Sequence, residues 1–177
     1  MSFVKNLQAQ ITPYVPTILA ALVPLLAPDS RSTNEQFLHV DDQLSLYEAA
    51  SYLVSLEALS RQDKAQLLAS LLSPLLERYS TIVSRELPMA RDVRTQNQLF
   101  DFLSFAILAF TRMSKGISSL DALNACDAGP LFERAAGCFM GGLRLERASV
   151  RSGMCTVRWM DGLRNVHTWC PICLEDT

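Results

Sequence analysis

The sequence predicts an all-α protein built from long amphipathic helices. Apolar residues recur three or four positions apart over three long stretches, and this spacing places them on one face of a helix. Residues 1–116 show no clean alternation of apolar and polar residues, the pattern that is typical of strands. The three apolar stripes are Ile11, Val15, Ile18, Leu22 and Leu25; Leu68, Leu72, Leu75, Tyr79 and Ile82; and Leu99, Leu103, Ala106, Phe110 and Met113.

The composition suits a single domain with a large internal core. Of the 177 residues, 49% are hydrophobic and 19% are charged, and the formal net charge is -2. This mild acidity excludes a simple basic nucleic-acid module, so any RNA contact must be a local basic patch. The five cysteines are an odd number and all follow residue 125, which favours a reduced intracellular compartment.

A fourth helix is predicted shortly before the second stripe. Either Asp41 or Asp42 is expected to cap its start, where a carboxylate also favours the positive end of the helix. Breaks between the helices are expected at residues 27–39, 59–62, 87–94 and 116–129. The stripe of this fourth helix is Leu46, Ala49, Leu53 and Leu56.

The order of the helices predicts a HEAT-like solenoid of helical hairpins. The helix pair near residues 40–58 and 62–86 has the length of one HEAT repeat, which is about 40 to 47 residues. Such a repeat buries its faces only against stacked neighbours, so we expect the chain to be part of a longer array. Pro24 and Pro74 lie within helical patterns and are expected to kink their helices.

One uncharged stretch, residues 6–28, raises the question of a signal peptide or a membrane span. Pro13, Pro16 and Pro24 and several polar residues interrupt it. Its contiguous apolar part is shorter than the roughly 20 residues that a span requires. The sequence therefore predicts no membrane insertion.

Three stretches of the sequence carry a resemblance to a known protein family. The most specific block begins at Asp41 and reads Asp-Asp-Gln-Leu-Ser-Leu-Tyr-Glu-Ala-Ala. The others are the Phe-Val-Lys-Asn-Leu start at Phe3 and the Leu-rich run at residues 71–78, which is followed by Arg-Met-Ser-Lys at residues 112–115. Together these stretches resemble the exportin-T family of importin-β-like transport receptors, the karyopherins. On this resemblance, residues 1–120 are helical repeats, residues 121–148 are a candidate further repeat helix, and residues 149–177 are a divergent tail.

The resemblance implies a nuclear export receptor and not an enzyme, with no cofactor. Such receptors bind mature tRNA together with the GTP form of Ran, cross the nuclear pore and shuttle between nucleus and cytoplasm. The family's Ran-binding surface lies largely in amino-terminal repeats that this chain lacks. The chain would correspond to part of the carboxy-terminal arch, which helps to clasp tRNA.

Five basic residues are candidates for RNA contact. Arg112 and Lys115 end the third striped helix, where cations are also favoured by the helix dipole. Arg144, Arg147 and Arg151 are spaced so that a helix would align them on one face, which could contact phosphates or simply be solvated. Both interpretations stay open for each group.

Residues 154–177 carry an incomplete set of metal ligands. Cys170 and Cys173 form a Cys-x-x-Cys pair, and His167 and Cys155 are the nearest further candidates. Structural zinc sites almost always use four well-placed ligands, so we interpret these cysteines as structural and predict no metal.

Two other functions remain open at this point. One is a generic HEAT-repeat scaffold that binds proteins and carries no RNA. The other is a small zinc-binding or membrane-associated protein in which residues 154–177 or 6–28 carry the function. The sequence contains no Gly-rich phosphate loop and no triad of nucleophile, base and acid.

Overall fold

The computed structural model describes residues 10–26, 39–56, 59–117 and 120–150. A 3-10 turn, Thr12–Tyr14, leads into the first helix, and a π-helical segment, Ile82–Glu86, and a short turn, Leu87–Met89, extend the third. Every regular element in these ranges is helical, which confirms the all-α prediction. The helices are α1 (Val15–Leu26), α2 (Val40–Val54), α3 (Arg61–Thr81), α4 (Val93–Gly116), α5 (Leu120–Ala125) and α6 (Gly129–Val150).

The helices form two layers. Helix α2 packs mainly against α4, and α3 packs against α1, α4 and α6. Helices α2 and α4 run parallel in one layer, since Glu48 contacts Arg112 and Ser51 contacts Gly116. Helices α3 and α6 run parallel in the other, since the start of α3 pairs with Asp127, just before α6, and Tyr79 further along contacts Phe139. This stacking of alternate helices is the arrangement expected of a HEAT-like solenoid.

The predicted stripes of α3 and α4 form the centre of the core. All ten positions are buried, and none is more than 8% exposed. Helix α6 joins this core through aromatic side chains. Phe139 lies edge-on to Tyr79 of α3 and to Phe110 of α4, with ring centroids 4.9 Å and 5.3 Å apart.

The predicted stripe of α2 is wrong by about one residue. Ala49 is exposed and Leu46, Leu53 and Leu56 are only partly buried. The buried face includes polar residues, which the apolar pattern does not predict. It consists of Gln43, Leu44, Tyr47, Ala50, Ser51 and Val54.

Hydrogen bonds to α1 explain why polar residues of α2 are buried. The Tyr47 hydroxyl donates to the Leu26 carbonyl at 2.9 Å, and Gln43 Nε2 donates to the Leu25 carbonyl at 3.1 Å. The last carbonyls of a helix have no partner within it, so these two side chains satisfy the carboxyl end of α1. The same register leaves Leu25 45% exposed and buries Leu19 and Leu26 in its place.

The start of α2 also differs from the prediction. His39, and not Asp41 or Asp42, occupies the cap position, and it makes no side-chain capping bond. The two aspartates lie in the first turn, where their charge still favours the positive end of the helix. Side-chain caps occur instead at α3 and α4, where Ser60 and Asp92 accept hydrogen bonds from the backbone N–H groups of Asp63 and Thr95.

Both prolines lie within continuous helices. Pro24 is inside α1 and Pro74 is inside α3, each at a position where the helix loses one backbone donor. The widened segment Ile82–Glu86 comes two turns after Pro74, and there the Leu87 N–H donates to the Ile82 carbonyl.

Among the helices of the described ranges, none combines the length and the apolar character that crossing a membrane requires.

A close approach between α2 and α4 predicts opposite effects for two glycine substitutions. A Cβ added at Gly116 would lie 2.4 Å from Ser51 Oγ and 2.6 Å from the Ser51 carbonyl carbon. We expect Gly116→Ala to lower the free energy of unfolding by about 1–2 kcal/mol, because the overlap outweighs the helix propensity of alanine. Gly137 on α6 has open space around it, so Gly137→Ala should raise stability by about 0.5–1 kcal/mol. Urea unfolding compares the two, and equal stabilisation by both would contradict the close approach.

Because the Tyr47 hydroxyl makes a hydrogen bond, removing this one oxygen should lower the free energy of unfolding. Tyr47 is fully buried, and Tyr47→Phe leaves the Leu26 carbonyl without this donor. We expect a loss of about 1 kcal/mol in the free energy of unfolding. Tyr52 lies on the same helix and is 52% exposed, so Tyr52→Phe is the matched control and should change little. A Tyr47→Phe variant as stable as the control would show that this bond does not stabilise the α1–α2 contact.

Candidate functional site

Two of the predicted RNA-contact residues lie at the α2–α4 contact. Arg112 and Lys115 are three positions apart on α4, so both side chains reach the same side of the helix. Arg112 Nη1 and Lys115 Nζ each donate to Glu48 Oε2 at 2.8 Å. We call these three residues the Glu48 cluster.

Backbone packing next to the cluster fixes its geometry. The Gly116 N–H donates to Ser51 Oγ at 3.2 Å, and Ser51 Oγ donates to the Glu48 carbonyl at 2.6 Å. Gly116 allows this approach because it has no Cβ. The two helices are therefore in contact at the turn that carries Glu48, which brings its carboxylate within reach of both cations.

The electrostatics of the Glu48 cluster leave one positive charge in excess. Hydrogen bonds from Lys115 and then from Arg112 hold the pKa of the Glu48 carboxyl below its ordinary value. The side chains of Arg112 and Lys115 are 42% and 45% exposed, so solvent screens both pairs. A phosphate could reach these cations only in competition with the Glu48 carboxylate.

The other predicted residues lie apart from this cluster. Arg144 and Arg147 belong to the backbone of α6, beyond the point where Gly142 approaches the Tyr79 hydroxyl. Arg151 lies outside the described residues, as do Cys155, His167, Cys170 and Cys173. Within the described ranges, no group of three or more His, Cys, Asp or Glu side chains could hold a metal ion. The RNA-contact residues stay predictions.

Three further cations were not singled out by the sequence analysis. Arg85, Arg91 and Arg94 are exposed and surround the turn between α3 and α4. They make no ion pair with a described residue, whereas Arg61 pairs with Asp127 and Arg78 with Glu86. The sequence does show three arginines within ten residues. Helical spacing does not group them, because they lie on different helical segments. We call Arg85, Arg91 and Arg94 the arginine turn.

The lowered pKa of Glu48 predicts a pH-dependent contribution to stability. Because the folded state favours the ionised carboxylate, the contribution is present above the unfolded pKa and is lost as pH falls through the folded pKa. At neutral pH Glu48→Gln should be less stable than the unchanged chain, and the difference should disappear in acid. Thermal unfolding at several pH values measures this. Glu133→Gln, at an exposed α6 position, should follow the unchanged chain throughout; a Glu48→Gln deficit that persists in acid would contradict the ionic account.

The comparisons with known proteins place the chain in a family. The family model Exportin-T matches residues 1–143. Exportin-T from Mus musculus is 32% identical over 157 residues, and Exportin-T from Homo sapiens is 30% identical over the same length. Each alignment covers 87% of this chain and 16% of the relative, so the chain spans a small part of their length. Exportin-T from Oryza sativa subsp. japonica is 29% identical over 122 residues, which are 67% of this chain and 12% of the relative.

No solved structure gives a significant match to the chain. The family match covers more than half of the 177 residues and includes α1 to α5 and most of α6. It also includes the Glu48 cluster and the arginine turn. The chain belongs to the Exportin-T family.

Proposed function

We propose that this chain is a section of a nuclear export receptor for tRNA. The receptor binds tRNA cooperatively with Ran-GTP, carries it through the nuclear pore and releases it in the cytoplasm. The observation that carries this proposal is the match of residues 1–143 to Exportin-T. This section would belong to the carboxy-terminal arch and would contribute binding surface without any enzymatic step.

The two-layer stack supports a role in binding a large, rigid ligand. Its turns and helix ends lie at the edges of the layers, where charged side chains are exposed to solvent. Folded RNA is recognised mainly by its shape and its phosphates, which suits cations fixed on a rigid scaffold. Cargo choice would then depend on the shape of tRNA more than on its base sequence.

The residues proposed for tRNA contact fall into two groups. Arg144, Arg147 and Arg151 would contact phosphates directly from α6 and the residues after it. Arg112 and Lys115 would do so by exchanging the Glu48 carboxylate for a phosphate. Exchange replaces one anion by another, so it requires little change in the packing of α2 against α4.

The other partners would act through the rest of the receptor. Ran-GTP would bind amino-terminal repeats outside this chain, and nuclear pore proteins would bind during passage. If Ran-GTP and tRNA favour the same closed arrangement, each raises the affinity of the other. The receptor would therefore load tRNA in the nucleus and shuttle between nucleus and cytoplasm.

Crosslinking in intact cells tests this function. A tagged form of the chain is crosslinked and precipitated, and the bound RNA is sequenced. We expect strong enrichment of mature, end-processed tRNA over a precipitation from untagged cells, with precursor tRNA as the internal comparison. No enrichment of tRNA would overturn the cargo assignment and favour a HEAT-repeat scaffold that binds proteins.

A further inference from the structure

The arginine turn is the densest group of exposed cations without an ion-pair partner in the described part of the chain. Arg85, Arg91 and Arg94 fall within ten residues of one another, and each is exposed. Among the side chains whose exposure the structure describes, Arg134 on α6 is a further exposed cation of this kind. Three guanidinium groups around one turn form the local basic patch that a mildly acidic chain needs to bind RNA.

The acidic residues of this segment leave the arginine turn with a net positive charge. Arg78 Nη1 and Nη2 donate to the two carboxylate oxygens of Glu86, and Arg78 also lies 6.0 Å from the centre of the Phe102 ring. Asp92 accepts a hydrogen bond from the Thr95 backbone N–H at 2.8 Å as the cap of α4. Glu86 is thus paired with Arg78, and Asp92 offsets one of the three arginine charges, which leaves two positive charges in excess for an external anion.

Helix α6 runs past the segment that carries Arg85. Arg61, at the start of α3, pairs with Asp127, which lies just before α6, and further along the Tyr79 ring contacts Phe139. These contacts show that α3 and α6 run in the same direction. The π-helical segment Ile82–Glu86, which carries Arg85, also packs against α6.

The backbone positions of Arg144 and Arg147 follow Gly142, which approaches Tyr79. They therefore lie at the level of this segment, toward the same edge of the stack as the turn between α3 and α4. The Glu48 cluster lies near the other end of α4. Positions 94 and 115 are about 30 Å apart along that helix, at 1.5 Å per residue.

We propose that the arginine turn is a phosphate-binding surface for tRNA and the main RNA contact of this section. The proposal rests on the proposed function and assigns the contact to a surface distinct from the Glu48 cluster. Guanidinium groups bind phosphate through two parallel hydrogen bonds, which lysine cannot do. Arg144 and Arg147 of α6 would extend the surface along the same edge.

A binding titration tests the surface. The whole 177-residue chain is titrated against fluorescently labelled mature tRNA at several salt concentrations. At about 0.15 M salt each phosphate contact adds roughly fourfold to fivefold in affinity through counterion release. We therefore expect the triple variant Arg85→Gln, Arg91→Gln, Arg94→Gln to lose on the order of a hundredfold and to show a shallower salt dependence.

Two control variants separate this surface from the alternatives. Arg134→Gln removes one exposed charge elsewhere and should change the affinity less than twofold. The comparison variant Arg112→Gln, Lys115→Gln, at the secondary contact proposed above, should lose less affinity than the triple variant, because the Glu48 carboxylate offsets one of its two charges. The melting temperature of each variant is measured first, and the triple variant should match the unchanged chain because its arginines make no ion pair with a described residue.

Several results would overturn the proposal. If the unchanged chain binds tRNA but the triple variant binds equally well, the arginine turn is not the contact, and the tRNA function stands. If the unchanged chain binds no tRNA at low salt, this surface does not bind RNA, and the cellular crosslinking decides the cargo independently. Met89 and Val93 are also exposed at this turn, and exposed apolar residues beside arginines would suit an acidic protein as well as RNA. Polyglutamate of matched charge therefore serves as a competitor in the titration. Competition as effective as that of unlabelled tRNA would assign the surface to an acidic protein.

Discussion

The architecture depends on the contact between Ser51 of α2 and Gly116 of α4. The Ser51 hydroxyl is within 3.2 Å of the Gly116 nitrogen, a distance that a side chain at position 116 would prevent. This contact fixes α2 and α4 as parallel neighbours, so α3 is packed into the second layer together with α6. It also brings Glu48 to the two cations at the end of α4.

The second layer depends on contacts of another kind. Its helices meet through large side chains, with Phe139 of α6 packed against Tyr79 and Phe110. Gly142 leaves the space that the Tyr79 hydroxyl occupies. The direction in which α6 runs past α3 follows from these contacts, and it carries the α6 arginines toward the arginine turn. The position of the α6 backbone relative to the arginine turn is therefore a consequence of core packing.

The sequence predicts the core where burial is purely apolar. The apolar pattern predicts the stripes of α3 and α4 because all ten stripe residues are buried and are aliphatic or aromatic. The apolar pattern does not predict the buried face of α2, because Gln43, Tyr47 and Ser51 are buried with hydrogen-bond partners on other helices. No local pattern indicates that the carbonyls of Leu25 and Leu26 require donors from residues 18 and 21 positions further along the chain.

In the candidate site, too, contacts between residues distant in the sequence could not be predicted from local patterns. The positions of Arg112 and Lys115 at a helix end follow from the sequence, but their carboxylate partner lies 64 and 67 residues away. The arginine turn was missed because its members lie on two helices and an intervening turn, where helical periodicity does not apply. Only the layer arrangement shows that Arg85, Arg91 and Arg94 share an edge of the stack with α6.

The most direct test of this account is to map the RNA on the protein. The chain and mature tRNA are crosslinked with ultraviolet light, and the modified residues are identified by mass spectrometry. The account predicts adducts concentrated at residues 85–94 and along the carboxyl-terminal part of α6, with a smaller number at the secondary contact, residues 112–115. Adducts concentrated at residues 112–115, or spread evenly over the exposed cations, would contradict it.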